Sequence, residues 1–320
     1  MSRKFLSIGR TAFSALIISL LSLSSFSQVQ LREALDFDGD GKADYAIFRP
    51  SNATWYIYKT LGSVTVQQWG LANEDQLVPG DYDGDNKADI AVFRDGEGVW
   101  YVLNSSNFTV SGIQFGLYGD EPVARDYDGD GKADRAIVRR TSGKMYWWVL
   151  KSTGGYSVYQ WGLDIDYVCP GDYDGDTKFD ICVQRPGATP TSQAYFYVLG
   201  SKNGVFGLPW GISTDNVVPG DYDGDGKTDF AIVREGANAT SALVWWILRS
   251  DGNGYFARPF GLTGDDFTAQ ADYDGDGRTE IAVWRQTDGT FWRLNTNTGA
   301  ISASKWGIPG EVPVATYDTH

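Results

Sequence analysis

The segment DYDGDGKAD at residues 126–134 belongs to a set of six near-copies: DFDGDGKAD at 36, DYDGDNKAD at 81, DYDGDTKFD at 172, DYDGDGKTD at 221 and DYDGDGRTE at 272 are the others. Their starts lie 45, 45, 46, 49 and 51 residues apart. A period in this range marks a repeat array and decides the fold before any local reading does. More than the acidic segment recurs. An apolar run follows each copy (YAIFR, IAVFR, RAIVR, ICVQR, FAIVR, IAVWR), and then an aromatic one (WYIY, WYVL, YWWVL, YFYVL, VWWIL, FWRL). A third run precedes W-G or F-G, and a fourth, of the LVPGDY kind, leads into the next acidic segment. Four short β-branched and aromatic runs, separated by Gly, Asn and Ser, read as the four strands of one propeller blade. No amphipathic helix stands out after the N-terminal segment.

An all-β propeller of six blades is therefore predicted, with repeats starting near 31, 76, 121, 167, 216 and 267. Radial closure removes the exposed edges that separate small sheets would carry. The terminal VPVATYDTH restarts the fourth run and stops, with Tyr317-Asp318 at the start of an incomplete seventh loop. It is expected to overlap the first blade as a closing seam. Seven blades are the alternative, and would need three strands beyond those present.

Each acidic loop places carboxylates at positions 1, 3, 5 and 9. They are Asp36, Asp38, Asp40 and Asp44; Asp81, Asp83, Asp85 and Asp89; and Asp126, Asp128, Asp130 and Asp134. The later copies have Asp172, Asp174, Asp176 and Asp180; Asp221, Asp223, Asp225 and Asp229; and Asp272, Asp274, Asp276 and Glu280. Alternate acids before a turn residue wrap oxygens around a hard cation, and Ca²⁺ accepts six to eight of them in loose geometry. A main-chain carbonyl at position 7 would add one more. Position 6 is Gly41, Asn86, Gly131, Thr177, Gly226 or Gly277. Glycine, and less readily Asn, tolerates the left-handed backbone such a turn requires, so the loop with Thr177 is the least favourable. The basic residues at position 7, such as Lys42 and Arg278, are expected to point outward. These loops are not EF-hands, because position 12 is apolar (Ile47, Val92, Ile137) and both flanks are strands. With neither Cys nor His in them, they do not suit zinc. The competing reading is an acidic turn without an ion, against which stands the cost of gathering four carboxylates without a counter-ion. Up to six calcium ions, one per repeat, are expected, each pinning the strands on either side of its loop and stabilising the fold.

The formal charge is −14, and removal of Arg3, Lys4 and Arg10 would take it to −17. That balance argues against nucleic acid and anionic membranes as partners. Those three basic residues open a segment with an apolar run from Ala12 to Leu23 and a small-residue pattern before Gln28. This is the layout of a signal peptide over residues 1–27, with residues 28–320 as one propeller domain. A secreted or cell-surface protein is expected, with a periplasmic location also open, and a monomer not embedded in a membrane. Cys169 and Cys182 flank one acidic loop where other copies carry Val and Ala. A disulfide and a pair of buried thiols both fit.

On the D-x-D-G-D-G-K-x-D loop followed by IAVFR, over about residues 31–318, the chain resembles the FG-GAP, or VCBS, repeat family, which includes the propellers of integrin α-subunits. The resemblance implies a β-propeller with Ca²⁺ in its loops, and roles in adhesion, in lectin-like glycan binding or as a platform attached to enzymes. Integrin-type propellers usually have seven blades, one more than the repeats counted here.

His320 is the single histidine and the last residue, so histidine-based acid–base or triad chemistry has no constellation. No catalytic residue is assigned, although a carboxylate-based lyase or glycosidase on a propeller is an alternative, as is a purely structural surface protein. The favoured reading is a binding module for glycans or extracellular proteins. Strand alternation puts the acidic loops on one rim and the variable, longer loops after Arg185 and Arg234 on the other, where recognition is expected. Trp69, Phe115, Trp161, Trp210, Phe260 and Trp306, each preceding a Gly, are candidate ligand-binding aromatics. The competing reading is that they fill the space between blades. Arg49, Arg94, Arg139, Arg185, Arg234 and Arg285 recur in the same way and are expected to fix each blade through a carboxylate or carbonyls.

Overall fold

The computed structural model describes residues 34–72 and 74–315, so the predicted signal peptide, Tyr317-Asp318 and His320 lie outside the described residues. The chain forms six four-stranded antiparallel sheets, each one blade of a β-propeller. Blade 2 shows the plan, with Asp75–Leu77 innermost, then Ile90–Arg94, Val99–Leu103 and Val110–Gln114 outward. The run that leads into each acidic loop pairs with the strand that follows the loop, so it opens the next blade instead of ending its own. Innermost strands are two or three residues long, as in Glu121–Pro122 and Asn216–Val217. Proline is tolerated there because one strand edge faces the axis and owes no ladder hydrogen bond.

Blade 1 is built from both ends of the chain. Its three outer strands are Tyr45–Arg49, Thr54–Tyr58 and Val64–Gln68, and its innermost strand is Val312–Pro313. The register is Ile47 opposite Pro313 and Phe48 opposite Val312. The predicted seam is present, and the ring closes at six.

Alternation along the third strand sets the core. Trp55, Trp100, Trp147 and Trp245 are fully buried, and each indole N–H donates to the carbonyl of the residue before the W-G or F-G glycine: Trp69, Phe115, Trp161 and Phe260, at 2.8–3.1 Å. In blade 6 the two large side chains exchange places. Phe291 takes the third-strand site, and Trp284 on the second strand donates to the Trp306 carbonyl at 3.0 Å. Blade 4 carries Phe196 and Gln184 at these sites, and the buried Gln184 amide makes no hydrogen bond. The buried sulfurs of Cys169 and Cys182 in the same blade are free thiols 2.9 Å apart.

Among the described residues helical backbone is confined to the short turn Pro50–Asn52 and to residues 34–35 and 314–315. Among the described residues no helix is long and apolar enough to cross a membrane.

Candidate metal loops and the opposite rim

The acidic loops cluster on one rim; in blades 2 to 6 each joins the innermost strand to the second, and in blade 1 the loop leads into the second strand, Tyr45–Arg49. In blade 1 the position 1 carboxylate, Asp36, accepts from the N–H groups of Gly39 and Gly41 at 2.7 and 2.8 Å. Asp44, at position 9, accepts from the N–H of Phe37 and from that of Thr60 in the turn between the third and fourth strands. Asp40 accepts from the Thr60 hydroxyl and Asp38 from the Leu61 N–H. Position 1 and position 9 acids repeat these roles around the ring, as in Asp126 with Gly129 and Gly131, and Asp134 with Tyr127 and Ser152. Tyrosine at position 2 adds an anchor, because Tyr82, Tyr127, Tyr173, Tyr222 and Tyr273 donate to the carbonyl of the residue just after the innermost strand at 2.7–2.9 Å.

These turns draw the carboxylates together. Oxygens of Asp36, Asp38 and Asp40 lie within 4.8 Å of one another, as do those of Asp81, Asp83 and Asp85, and of Asp221, Asp223 and Asp225. In the third and fourth loops the triads are Asp126, Asp128 and Asp134, and Asp172, Asp174 and Asp180. The donor set is oxygen alone. Asp128 Oδ1 and Asp174 Oδ1 are buried with no hydrogen-bond partner, which is what an oxygen reserved for a cation would look like. The residues fit a hard metal ion, and these clusters could hold one.

Burial raises the pKa of the position 9 acids: Asp44, Asp134 and Asp180 to about 7, Asp89 to about 6, Asp229 and Glu280 to about 8. Neighbouring carboxylates such as Asp38 and Asp128 push in the same direction, against the main-chain N–H groups that favour the charged form. A bound cation would reverse that balance.

Position 6 adopts the left-handed backbone in every loop, with φ of 62° at Asn86 and 72° at Thr177. Thr177 is a β-branched residue where a Cβ is least welcome, as anticipated. The position 7 cations do not point outward. Lys132 folds onto the preceding loop and donates to the Asp83 carbonyl at 2.9 Å. Lys87 lies over Gly39, Lys178 over Gly129, Lys227 over Gly175, Arg278 over Gly224 and Lys42 over Gly275. The reason is the glycine at position 4, which opens room for the neighbouring blade's stem. Beside this, the N–H at position 8 of each loop donates to the carbonyl at position 1 of the preceding loop, as in Ala88 to Asp36 and Ala133 to Asp81, both at 2.7 Å. Ala43 to Asp272, at 2.7 Å, completes a circle of six.

The six repeated arginines sit at the other rim, and each binds a carboxylate that begins an innermost strand: Arg94 with Asp75, Arg139 with Asp120, Arg185 with Asp166, Arg234 with Asp215 and Arg285 with Asp266. At the seam the partner of Arg49 is Glu311. Each guanidinium also lies over a third-strand ring, 4.3 Å from the Tyr56 centroid for Arg49 and 5.4 Å from that of Trp246 for Arg234. The carboxylates escaped the sequence reading, although the signal was there, with an acid nineteen residues before five of the arginines.

The candidate aromatics are half-buried between blades. Indole N–H groups of Trp69, Trp161, Trp210 and Trp306 donate to third-strand carbonyls of the next blade, those of Tyr101, Tyr197, Trp246 and Tyr56. Phe115 and Phe260 occupy the same place and pack on the buried clusters. This is the geometry of the inter-blade filling weighed above.

The longer loops on this rim are held in place. In blade 5 the Gly236 N–H donates to the Thr263 hydroxyl and the Gly264 N–H to the Ala239 carbonyl, at 2.8 and 3.0 Å. Beside them a cavity of about 330 Å³ opens between blades 5 and 6, lined by Asn216, Glu235, Thr263, Asp265 and Gln286 among others.

A model of the FG-GAP-like repeat matches residues 36–92 and 221–283. These two stretches of the chain are FG-GAP-like repeats. No curated protein matches it in sequence. Among solved structures, a streptogramin B lyase is 10% identical with a TM-score of 0.50, covering 87% of this chain and 86% of its own. A catalytically inactive virginiamycin B lyase from Staphylococcus aureus, solved with quinupristin, is 7% identical with a TM-score of 0.48, covering 89% and 96%. A functionally unknown protein from Desulfotomaculum acetoxidans is 11% identical with a TM-score of 0.46, covering 82% and 78%. At such identities, likeness of this chain to these structures concerns the fold alone.

Proposed function

We propose that this protein is an exported, calcium-stabilised propeller that binds glycans or cell-surface proteins through the rim opposite its acidic loops. The observation that carries the binding reading is the 330 Å³ cavity between blades 5 and 6. It stands beside the loop that lengthens the repeat from 45 to 51 residues, a length that ring closure does not need. Pinned loops offering Glu235, Asn216 and Gln286 form a rigid polar site, the kind of place where recognition resides. Calcium is supported by the all-oxygen clusters and by the two buried, unpartnered oxygens of Asp128 and Asp174. Its role in this reading is structural, because the carboxylates belong to loops that hold blade to blade.

The test is binding to a glycan array and to a panel of extracellular proteins, in calcium and in chelator, with Glu235→Ala and Gln286→Ala compared with the parent. Binding that needs calcium and is lost in both variants is expected. Binding unchanged in both would remove the site, and blank results on both panels would remove the function.

A further inference from the structure

The turn between the third and fourth strands of blade 2 differs from its five counterparts. In the other five blades the left-handed residues of this hairpin are all glycines: Gly62, Gly154 and Gly155, Gly204, Gly252 and Gly254, and Gly299. In blade 2 the left-handed residue is Phe108, with φ of 57° and the residue 77% exposed. An L-residue in that region gives up about 1–2 kcal/mol that glycine does not, and a ring lying in water recovers little of it by burial. Strain kept without a folding return is grounds for seeking a function.

Phe108 forms the lip of a groove of about 230 Å³ between blades 1 and 2, on the acidic-loop rim. Ile57, Ile90 and Leu103 make its floor, and Thr65 and Gln67 stand on one wall. Lys59 and Lys87 also face it, and among the described residues no salt bridge ties either ammonium to a carboxylate. They are the two cationic side chains of a groove that runs beside the acidic loops at 36–44 and 81–89, whose Phe37 and Ala88 also line it.

We infer that this groove binds an anionic sugar, a uronate unit of an acidic glycan, with the pyranose face on Phe108 and the carboxylate at Lys59 and Lys87. An aromatic face suits the C–H face of a sugar ring, and short hydroxyl and amide side chains suit its hydroxyls. An acidic peptide would supply the charge but no ring to lie on Phe108. This inference concerns the opposite rim from the cavity between blades 5 and 6, and it does not rest on the reading of that cavity.

The experiment is calorimetric titration of the full chain, in constant calcium, with a hyaluronan oligosaccharide as the uronate probe. N-acetylglucosamine oligomers and polyglutamate are the comparisons. The probe should bind more weakly as salt rises, and both comparisons should fail to bind. Phe108→Gly should weaken binding about tenfold, equivalent to about 1.4 kcal/mol, while its melting temperature stays level or rises because the strain is gone. Lys59→Gln should weaken binding and flatten the salt dependence. No binding of the probe, equal binding of polyglutamate or of the neutral oligomer, or a Phe108→Gly variant that binds like the parent would each overturn the inference. Binding that survives Phe108→Gly but is lost in Glu235→Ala would place the sugar on the other rim.

Discussion

The two rims of this propeller are built from the same repeats and treat them differently. On the acidic rim the blades follow one plan. Position 1 acids cap the turn, the position 9 acids of five loops tie it to the next hairpin, and a circle of six N–H···O bonds links each loop to its neighbour. On the opposite rim the Arg–carboxylate pairs repeat, but the loops above them vary, and a 330 Å³ cavity opens where the variation is largest. Repetition marks what closes the ring, and departure from it marks what is free to serve something else. Phe108 applies the same lesson to the acidic rim, as one departure among five conforming turns.

The sharpest way to break the contrast is to remove metal. A site held at a hundred times its Kd contributes about 2.7 kcal/mol, so emptying six loops should outweigh any single substitution. Chelated protein should melt far lower, checked by scanning calorimetry with and without EDTA. The pH response should then separate the two states. The acids whose folded pKa is raised to about 7–8, such as Asp44, Asp229 and Glu280, favour the protonated folded form when metal-free. Their contribution is present below the ordinary carboxylate range and is lost as pH rises through 7–8. Metal-free protein should therefore melt higher at pH 5 than at pH 8, and the calcium-loaded form should show the opposite trend, since the ion needs charged ligands.

Next in size is the seam. Glu311 is buried and holds both Arg49 and the Ile308 N–H. Glu311→Ala should cost about 2 kcal/mol, less than a fully buried pair because Arg49 is partly exposed, as read from urea unfolding. Relief of strain should come after it, with Thr177→Gly raising stability by about 1 kcal/mol in the same assay. The smallest effect belongs to the variable rim. Shortening the blade 5 loop after Arg234 to the length of the blade 2 loop should change stability by no more than about 0.5 kcal/mol, and should abolish whatever binds the cavity.

Blade number, strand order and the closing seam were legible because period and β-type runs are sequence properties, and Val312–Pro313 visibly restarts a strand. The left-handed turn at Thr177 was legible because only the loop's spacing is needed to place it. Contacts between repeats were harder. Lys87 was expected in solvent and lies over Gly39 of another blade, since the depth of a neighbour's glycine is set by ring geometry and not by the loop itself. The carboxylate partners of the arginines begin short innermost strands, where two or three residues carry no alternation to read. Phe108 was invisible as an exception because the turns differ in length, and only the backbone shows which residue takes the glycine's place.

Because blade 1 borrows its innermost strand from residues 312–313, its strands at 45–68 cannot complete their sheet until the chain has been made through blade 6. That blade must wait with an open edge while five others assemble, and Val312–Pro313 acts as a latch. Trimming the C-terminus ahead of Glu311 should thus convert a closed ring into a horseshoe prone to pair with another copy of itself.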